Sequence, residues 1–194
     1  MPQAKTSRET ICAAGETLFA QYGYSAVGIK AILDAVNIPK GSFYHYFKSK
    51  EAFAVCVAKA YVTNKLTCID FDPAADFKHN LSAMLTAYHQ LLDDMVQVTP
   101  VKGCVLTNMM IEANDNFPEL SAALNLIYQD WIEQLSQLFL QGQQQGFIGK
   151  ERDTRFLANV FWSQWQGAVL RLKLDGDKLA AKRTLVQSVQ LMTR

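Results

Sequence analysis

Apolar residues recur along this chain three or four positions apart, the spacing of a helix, and nowhere in the strict alternation of a half-buried strand. Ile11, Ala14, Gly15, Leu18, Phe19 and Tyr22 line one face of a first helix. A capping box from Thr6 to Glu9 opens it and Gly23 ends it. Ile29, Ile32, Leu33 and Val36 form the apolar face of a second helix, which stops at Asn37, a residue that tolerates the left-handed backbone of a sharp turn. A third, short helix spans about Pro39 to Phe47, with Phe43 and Phe47 four apart on its inner side, and Ser49 reads as the N-cap of a fourth, about Lys50 to Thr67. Two short amphipathic helices joined by a tight turn and roofed by a third predict a helix-turn-helix.

The sequence Asp70-Phe71-Asp72-Pro73 breaks the fourth helix. Beyond it the pattern predicts helices near Ala74 to Met95, Val105 to Ala113, Pro118 to about Gln141, Asp153 to Leu174 and Lys178 to Met192. A loop falls around Val98 to Gly103, and Gln143-Gln144-Gln145 is a polar helix end. The fold class is therefore all-α. In the Asp153 to Leu174 helix, Phe156, Leu157, Val160, Phe161, Trp162, Trp165, Ala168, Val169, Leu170 and Leu172 cover more than one face. A helix apolar on two sides must bury both, and a second subunit is the expected cover for one of them.

The outer side of the third helix offers Lys40, Gly41, Ser42, Tyr44 and His45. Lys, Ser and His hydrogen-bond base edges or phosphates in a major groove, and a ring presses on a thymine methyl or the sugar backbone. Gly41 has no side chain to keep a backbone at a distance. Charge changes the picture modestly. The whole chain carries only +1, but up to Lys65 eight basic residues face four acidic ones, +4, leaving −3 for the rest. An apolar fraction of 49% over 194 residues is ample for a packed core. No run reaches the roughly 20 apolar residues of a membrane span, and the N-terminus lacks the apolar stretch of a signal peptide, so a cytoplasmic location is expected. Cys12, Cys56, Cys68 and Cys104 show no CxxC spacing, and His45, His79 and His89 form no ligand motif, so neither metal nor cofactor is expected. Cys12, Cys56 and Cys68 lie on helix faces and read as core or incidental residues.

Tyr22-Gly23-Tyr24, the region of Ile32, and above all Lys40-Gly41-Ser42-Phe43-Tyr44-His45-Tyr46-Phe47-Lys48-Ser49-Lys50-Glu51 resemble the DNA-binding domain of the TetR/AcrR family of bacterial transcriptional regulators. The resemblance is close over Thr6 to Lys65 and looser beyond. It implies a helix-turn-helix DNA-binding domain over residues 1–50 and a helical effector-binding and dimerisation domain over 51–194. It further implies an Ω-shaped homodimer, without a membrane partner, whose recognition helices enter successive major grooves of a palindromic operator. By the same resemblance Lys40, Gly41, Ser42, Tyr44 and His45 face DNA and Lys50 contacts phosphate. The last two long helices would pair with their mates, with Leu185, Val186, Val189 and Met192 supplying a stripe. Two departures stand out. Val27 and Gly28 occupy positions where the family often has hydroxyl residues, and Pro39 stands where a Ser or Thr often caps the recognition helix, so these hydroxyls are missing as phosphate donors.

Tyr88, Leu92, Met109, Met110, Trp131, Phe161, Trp165 and Gln166 sit on helices that the family arranges around a ligand cavity. Met beside aromatic rings suits a small apolar inducer and suits close packing equally. Cys104, in Lys102-Gly103-Cys104-Val105 at a helix start, is a sharper candidate, since the helix dipole and the Lys102 charge favour its thiolate. Gly103-Cys104-Val105-Leu106, taken with Lys40 to Phe53, resembles the NemR-like, electrophile-sensing branch of the family, in which the Cys at this position is the sensor and Lys173 matches a Lys close to it. A buried structural cysteine is the plainer alternative. A small helical enzyme with Cys104 as nucleophile is the rival of another class, disfavoured because no His/Asp or His/Asn pattern near Cys104 supplies a base. The expected function is a DNA-binding transcriptional repressor that binds a palindromic operator as a homodimer and is released by a small-molecule or cysteine-reactive inducer.

Overall fold

The computed structural model describes residues 7–66, 71–72, 74–97, 103–113 and 115–193, and among these the regular elements are all helical. Thr6, Cys68, Pro73 and Lys102, on which parts of the sequence reading rest, lie outside the described residues. Helix α1 (Arg8–Tyr22) is capped by Ser7, whose Oγ accepts the Thr10 N–H at 3.3 Å. The cap is thus Ser7 rather than the expected box from Thr6 to Glu9, because a Ser hydroxyl at the N-cap reaches the amide three residues on. Gly23 ends α1 at φ 83°, and a Cβ there would also run into the Glu112 carboxylate, so only glycine serves on both counts. Helix α2 (Ile29–Val36) closes on Asn37 in the left-handed conformation, φ 52° and ψ 50°, as its sequence predicts.

Helix α3 (Lys40–Tyr46) is one residue shorter at each end than expected. Pro39 is its extended N-cap and Phe47 its extended C-cap. The N-cap position suits a residue without an N–H, and at the other end the Phe47 N–H donates to the Phe43 carbonyl at 2.9 Å while its ring is buried beside Phe43 and Phe53, with centroids 4.9 to 5.4 Å apart. Helix α4 (Lys50–Tyr61) is capped by Ser49, whose Oγ accepts the Ala52 N–H at 2.9 Å, and continues into one π-helical turn, Val62–Leu66. At Gly15 of α1 a Cβ would collide with Phe53 and Val57 of α4, so this glycine sets how closely the two helices cross.

Helix α5 (Phe77–Val96) starts later than expected because the Asp76 carboxylate accepts the His79 N–H at 2.8 Å and fixes the cap there. Helices α6 (Val105–Glu112), α7 (Pro118–Gln144), α8 (Thr154–Asp175) and α9 (Lys178–Met192) follow. Two compact units result. One gathers the described residues up to Asn64 with Cys104–Ile127, and the other those of Lys65–Gly103 with Tyr128–Arg194. In the first unit α4 and α6 pack with α1.

In the second unit α5 is tied to α9 by Asp93, which pairs with Lys178 at 3.0 Å and Lys182 at 2.6 Å. The glutamines at the end of α7 bracket the unit: Gln143 donates to the carbonyls of Gly149 and Arg152, and Gln141 to that of Ala75. The α9 stripe expected at the subunit contact is largely consumed inside this unit, where Leu185, Val189 and Met192 are buried. Helix α9 packs against both α8 and α5 within this unit. What α8 and α9 leave exposed is Phe156, Leu170, Leu174, Leu179 and Leu191, with Phe156 and Leu191 64% and 65% accessible. Among the described residues no helix is long and apolar enough to cross a membrane.

Candidate functional site

Burial of Phe43 and Phe47 fixes the rotation of α3 and turns the opposite side outward. Lys40, Gly41, Tyr44 and His45 are exposed and Ser42 is half-buried, with Tyr44 showing 51% of its surface. A Cβ built on Gly41 meets nothing within 4 Å, so no neighbour in the chain requires a glycine there. Between α2 and α3 lies a concavity of about 600 Å³, where Lys30, Lys40, Lys50 and Tyr44 meet a single carboxylate, Asp34. The N-cap of α2 is Gly28, which contributes no side-chain bond to the first amides. Lys50 is not a free surface cation. Its Nζ donates to the Ser25 carbonyl at 3.3 Å and stands 4.3 Å from the centre of the Tyr24 ring. Burial pulls it below the ordinary lysine value, with Glu112 opposing.

The turn after α1 is finished from outside by α6. Where the chain leaves the helix at Gly23, the Tyr24 N–H no longer reaches the Ala20 carbonyl. Asn108 takes over that carbonyl, donating from Nδ2 at 2.9 Å, and also reaches the Phe19 carbonyl at 3.1 Å. The released amides of Tyr24 and Ser25 donate to the Glu112 carboxylate at 2.9 and 2.6 Å. Burial pushes the Glu112 acid up, but these N–H groups and the Lys50 charge outweigh it and hold the group below its ordinary value. Sequence reasoning missed both residues. The available signal was their spacing, since Cys104, Asn108 and Glu112 stand four apart on one face of a short, otherwise mostly apolar helix.

Cys104 is the N-cap of α6 and is buried, 2% accessible, with the Tyr61 hydroxyl of α4 donating to its sulfur at 3.7 Å. Met109 is buried on the same helix. Met110 stands beside it on α6, and the remaining expected effector residues lie in the second unit. Tyr88 is fully buried at the centre of an aromatic cluster, with Trp165, Phe161 and Trp131 at centroid distances of 4.7, 5.1 and 6.5 Å. Its hydroxyl accepts the Trp131 indole N–H at 2.7 Å. Lys173 is exposed in the last turn of α8. The structure therefore brings Tyr88, Trp131 and Trp165 together, and assigns Cys104 and Met109 to one unit and Lys173 to the other. Among the described residues no group of His, Cys, Asp and Glu could hold a metal ion.

Comparison with known proteins places these features in a family. Residues 11–55 match the family model for bacterial regulatory proteins, tetR family, and residues 78–187 match that for the tetracyclin repressor-like C-terminal domain. The chain is 32% identical to the transcriptional regulator AcuR of Cereibacter sphaeroides over 90% of its own length and 80% of that protein's. It is 29% identical to the HTH-type transcriptional repressor NemR of Escherichia coli, with 87% and 85% covered. The crystal structure of the reduced form of E. coli NemR superposes with a TM-score of 0.78 at 27% identity, covering 93% of this chain and 94% of that one.

Proposed function

Since the chain belongs to the TetR family of bacterial regulatory proteins, which are DNA-binding transcriptional regulators and not enzymes, we propose that it is a homodimeric repressor that grips a palindromic operator with α3. Residues 1–50 read the duplex, and 51–194 serve dimerisation and response to an inducer. The observation that carries the reading is the outward row of Lys40, Gly41, Tyr44 and His45 on a helix whose other side is locked by Phe43 and Phe47. Lys40 and Ser42 hydrogen-bond bases or phosphates, Tyr44 packs on the sugar backbone, and the bare Gly41 admits the duplex closely. Lys50, held by Ser25 and Tyr24, adds a positioned positive charge beside the groove. The apolar residues left exposed on α8 and α9 supply the contact with the second copy.

Cys104 is the proposed point of induction by a cysteine-reactive electrophile. Its sulfur is buried against the Tyr61 hydroxyl, so an added alkyl group would displace the start of α6. The far end of that helix holds the turn of α1 through Asn108 and Glu112, and α1 roofs the hairpin that carries α3. Displacement at one end thus reaches the DNA-reading helix through packed elements of a single unit. The Tyr88, Trp131 and Trp165 cluster is the proposed lodging for a small apolar inducer in the second unit. The test is duplex selection followed by titration against salt: the intact protein shows sequence preference and a steep loss of affinity as salt rises. Lys40→Ala and Tyr44→Ala each abolish operator binding and leave the dimer intact; a monomeric product would refute the division of labour.

A further inference from the structure

The sulfurs of Cys12 on α1 and Cys56 on α4 stand 2.8 Å apart, well inside ordinary contact between two thiols. Neither residue reaches the other by accident of a loop. Gly15, one turn along from Cys12, lets α1 settle against Phe53 and Val57, the residues that flank Cys56 on α4. The thiols meet within one turn of that close approach. From this geometry we infer that Cys12 and Cys56 form a dithiol oxidation site in the DNA-reading unit, converted to an intrachain disulfide by a peroxide.

The sulfurs need to approach by only about 0.8 Å to reach the ~2.0 Å of a disulfide. Both cysteines are free in the structure, Cys12 buried and Cys56 half-buried. Burial first, and the neighbouring Cys56 thiol second, push the Cys12 thiol far above its ordinary range, so Cys12 stays protonated and is not the sulfur that reacts with the oxidant. Cys56 is the residue a small oxidant meets first. One molecule of hydrogen peroxide takes two electrons from the Cys56 sulfur, giving a sulfenic acid and water. The Cys12 sulfur then attacks that sulfur, the S–OH bond breaks, the S–S bond forms, and the Cys12 proton leaves with the hydroxyl as a second water. A thiol reductant reverses the change. The bond would join positions 44 apart in sequence and hold α1 and α4 at the separation seen here. It is a separate site from Cys104, which faces Tyr61.

The experiment treats the full-length protein with hydrogen peroxide, alkylates the remaining thiols after unfolding, and maps tryptic peptides without reduction. The expected product links the peptides Glu9–Lys30 and Glu51–Lys59, is lighter than their sum by two hydrogens, and disappears with dithiothreitol. Constraining the unfolded chain raises the thermal midpoint of the oxidised protein by about 5 °C or more. In Cys56→Ser, Cys12 stays alkylatable after peroxide and the midpoint does not rise. Peroxide that carries Cys56 to a sulfinic acid without any link, or that links either cysteine to Cys68, to Cys104 or to a second chain, overturns the inference. The wild-type peptide map decides this whether or not the serine variant folds.

Discussion

At the C-terminal end of α1 the Ala20 carbonyl is buried under α6 and has Asn108 as its hydrogen-bond donor, because its usual partner, the Tyr24 N–H, is spent on Glu112. Replacing Asn108 by Ala removes two hydrogen bonds from a site that is 6% accessible. The Phe19 carbonyl keeps the Gly23 N–H at 3.1 Å and stays satisfied. The Ala20 carbonyl is left bare, which costs the net value of the bonds, about 1 kcal/mol each, plus part of a desolvation penalty of about 1–3 kcal/mol. The expected loss is about 2–4 kcal/mol, equivalent to an increase of about 30- to 1,000-fold in the opening equilibrium of this end of α1. Hydrogen exchange followed by mass spectrometry reads that opening directly in peptides covering Glu16 to Ser25. A change smaller than about threefold there would show that Asn108 does not cap α1, and the route proposed from Cys104 to α3 would lose its second step.

Three further outcomes follow from single groups. Tyr88→Phe leaves the Trp131 indole N–H without its acceptor and should lower the stability of the second unit by about 1–3 kcal/mol. All three tryptophans lie in that unit, so the urea midpoint read by their fluorescence should fall. The folded-state pKa of Glu112 is held below its ordinary value of 4.5, so its contribution is fully present above that value and is lost as pH falls through the folded one. Wild type should therefore lose stability more steeply than Glu112→Gln on acidification below about pH 4.5, and parallel curves would remove the charge from the account. Cys104→Ser should bind operator normally and ignore N-ethylmaleimide; release on treatment would move the sensor elsewhere.

The local fold was legible where local chemistry decides it. Asn37, Ser49 and Gly23 announce their turns and caps because each conformation is set by the residue itself. The rotation of α3 was legible for the same reason, since two phenylalanines four apart leave only one side for solvent. What the sequence concealed depends on partners distant along the chain. Asn108 and Glu112 matter because they finish a turn more than 80 positions away. Cys12 and Cys56 look like incidental core residues until the glycine crossing of α1 and α4 brings them together. The α9 stripe misled for a related reason: an apolar face predicts burial but not by which neighbour. Composition offered little help with the charged groups, because Lys50 is set by Ser25 and Tyr24 rather than by its place in a basic run.

The DNA-reading unit is assembled from two separated stretches of chain, and this bears on how such proteins can be recombined. A graft that transplants only the helices up to α4 onto a foreign effector domain leaves behind the acceptor and donor that close the end of α1, and leaves Glu51 without the Leu120 amide it holds at 2.9 Å. A working chimaera must carry Cys104–Ile127 across with the N-terminal helices, as one insert in two pieces.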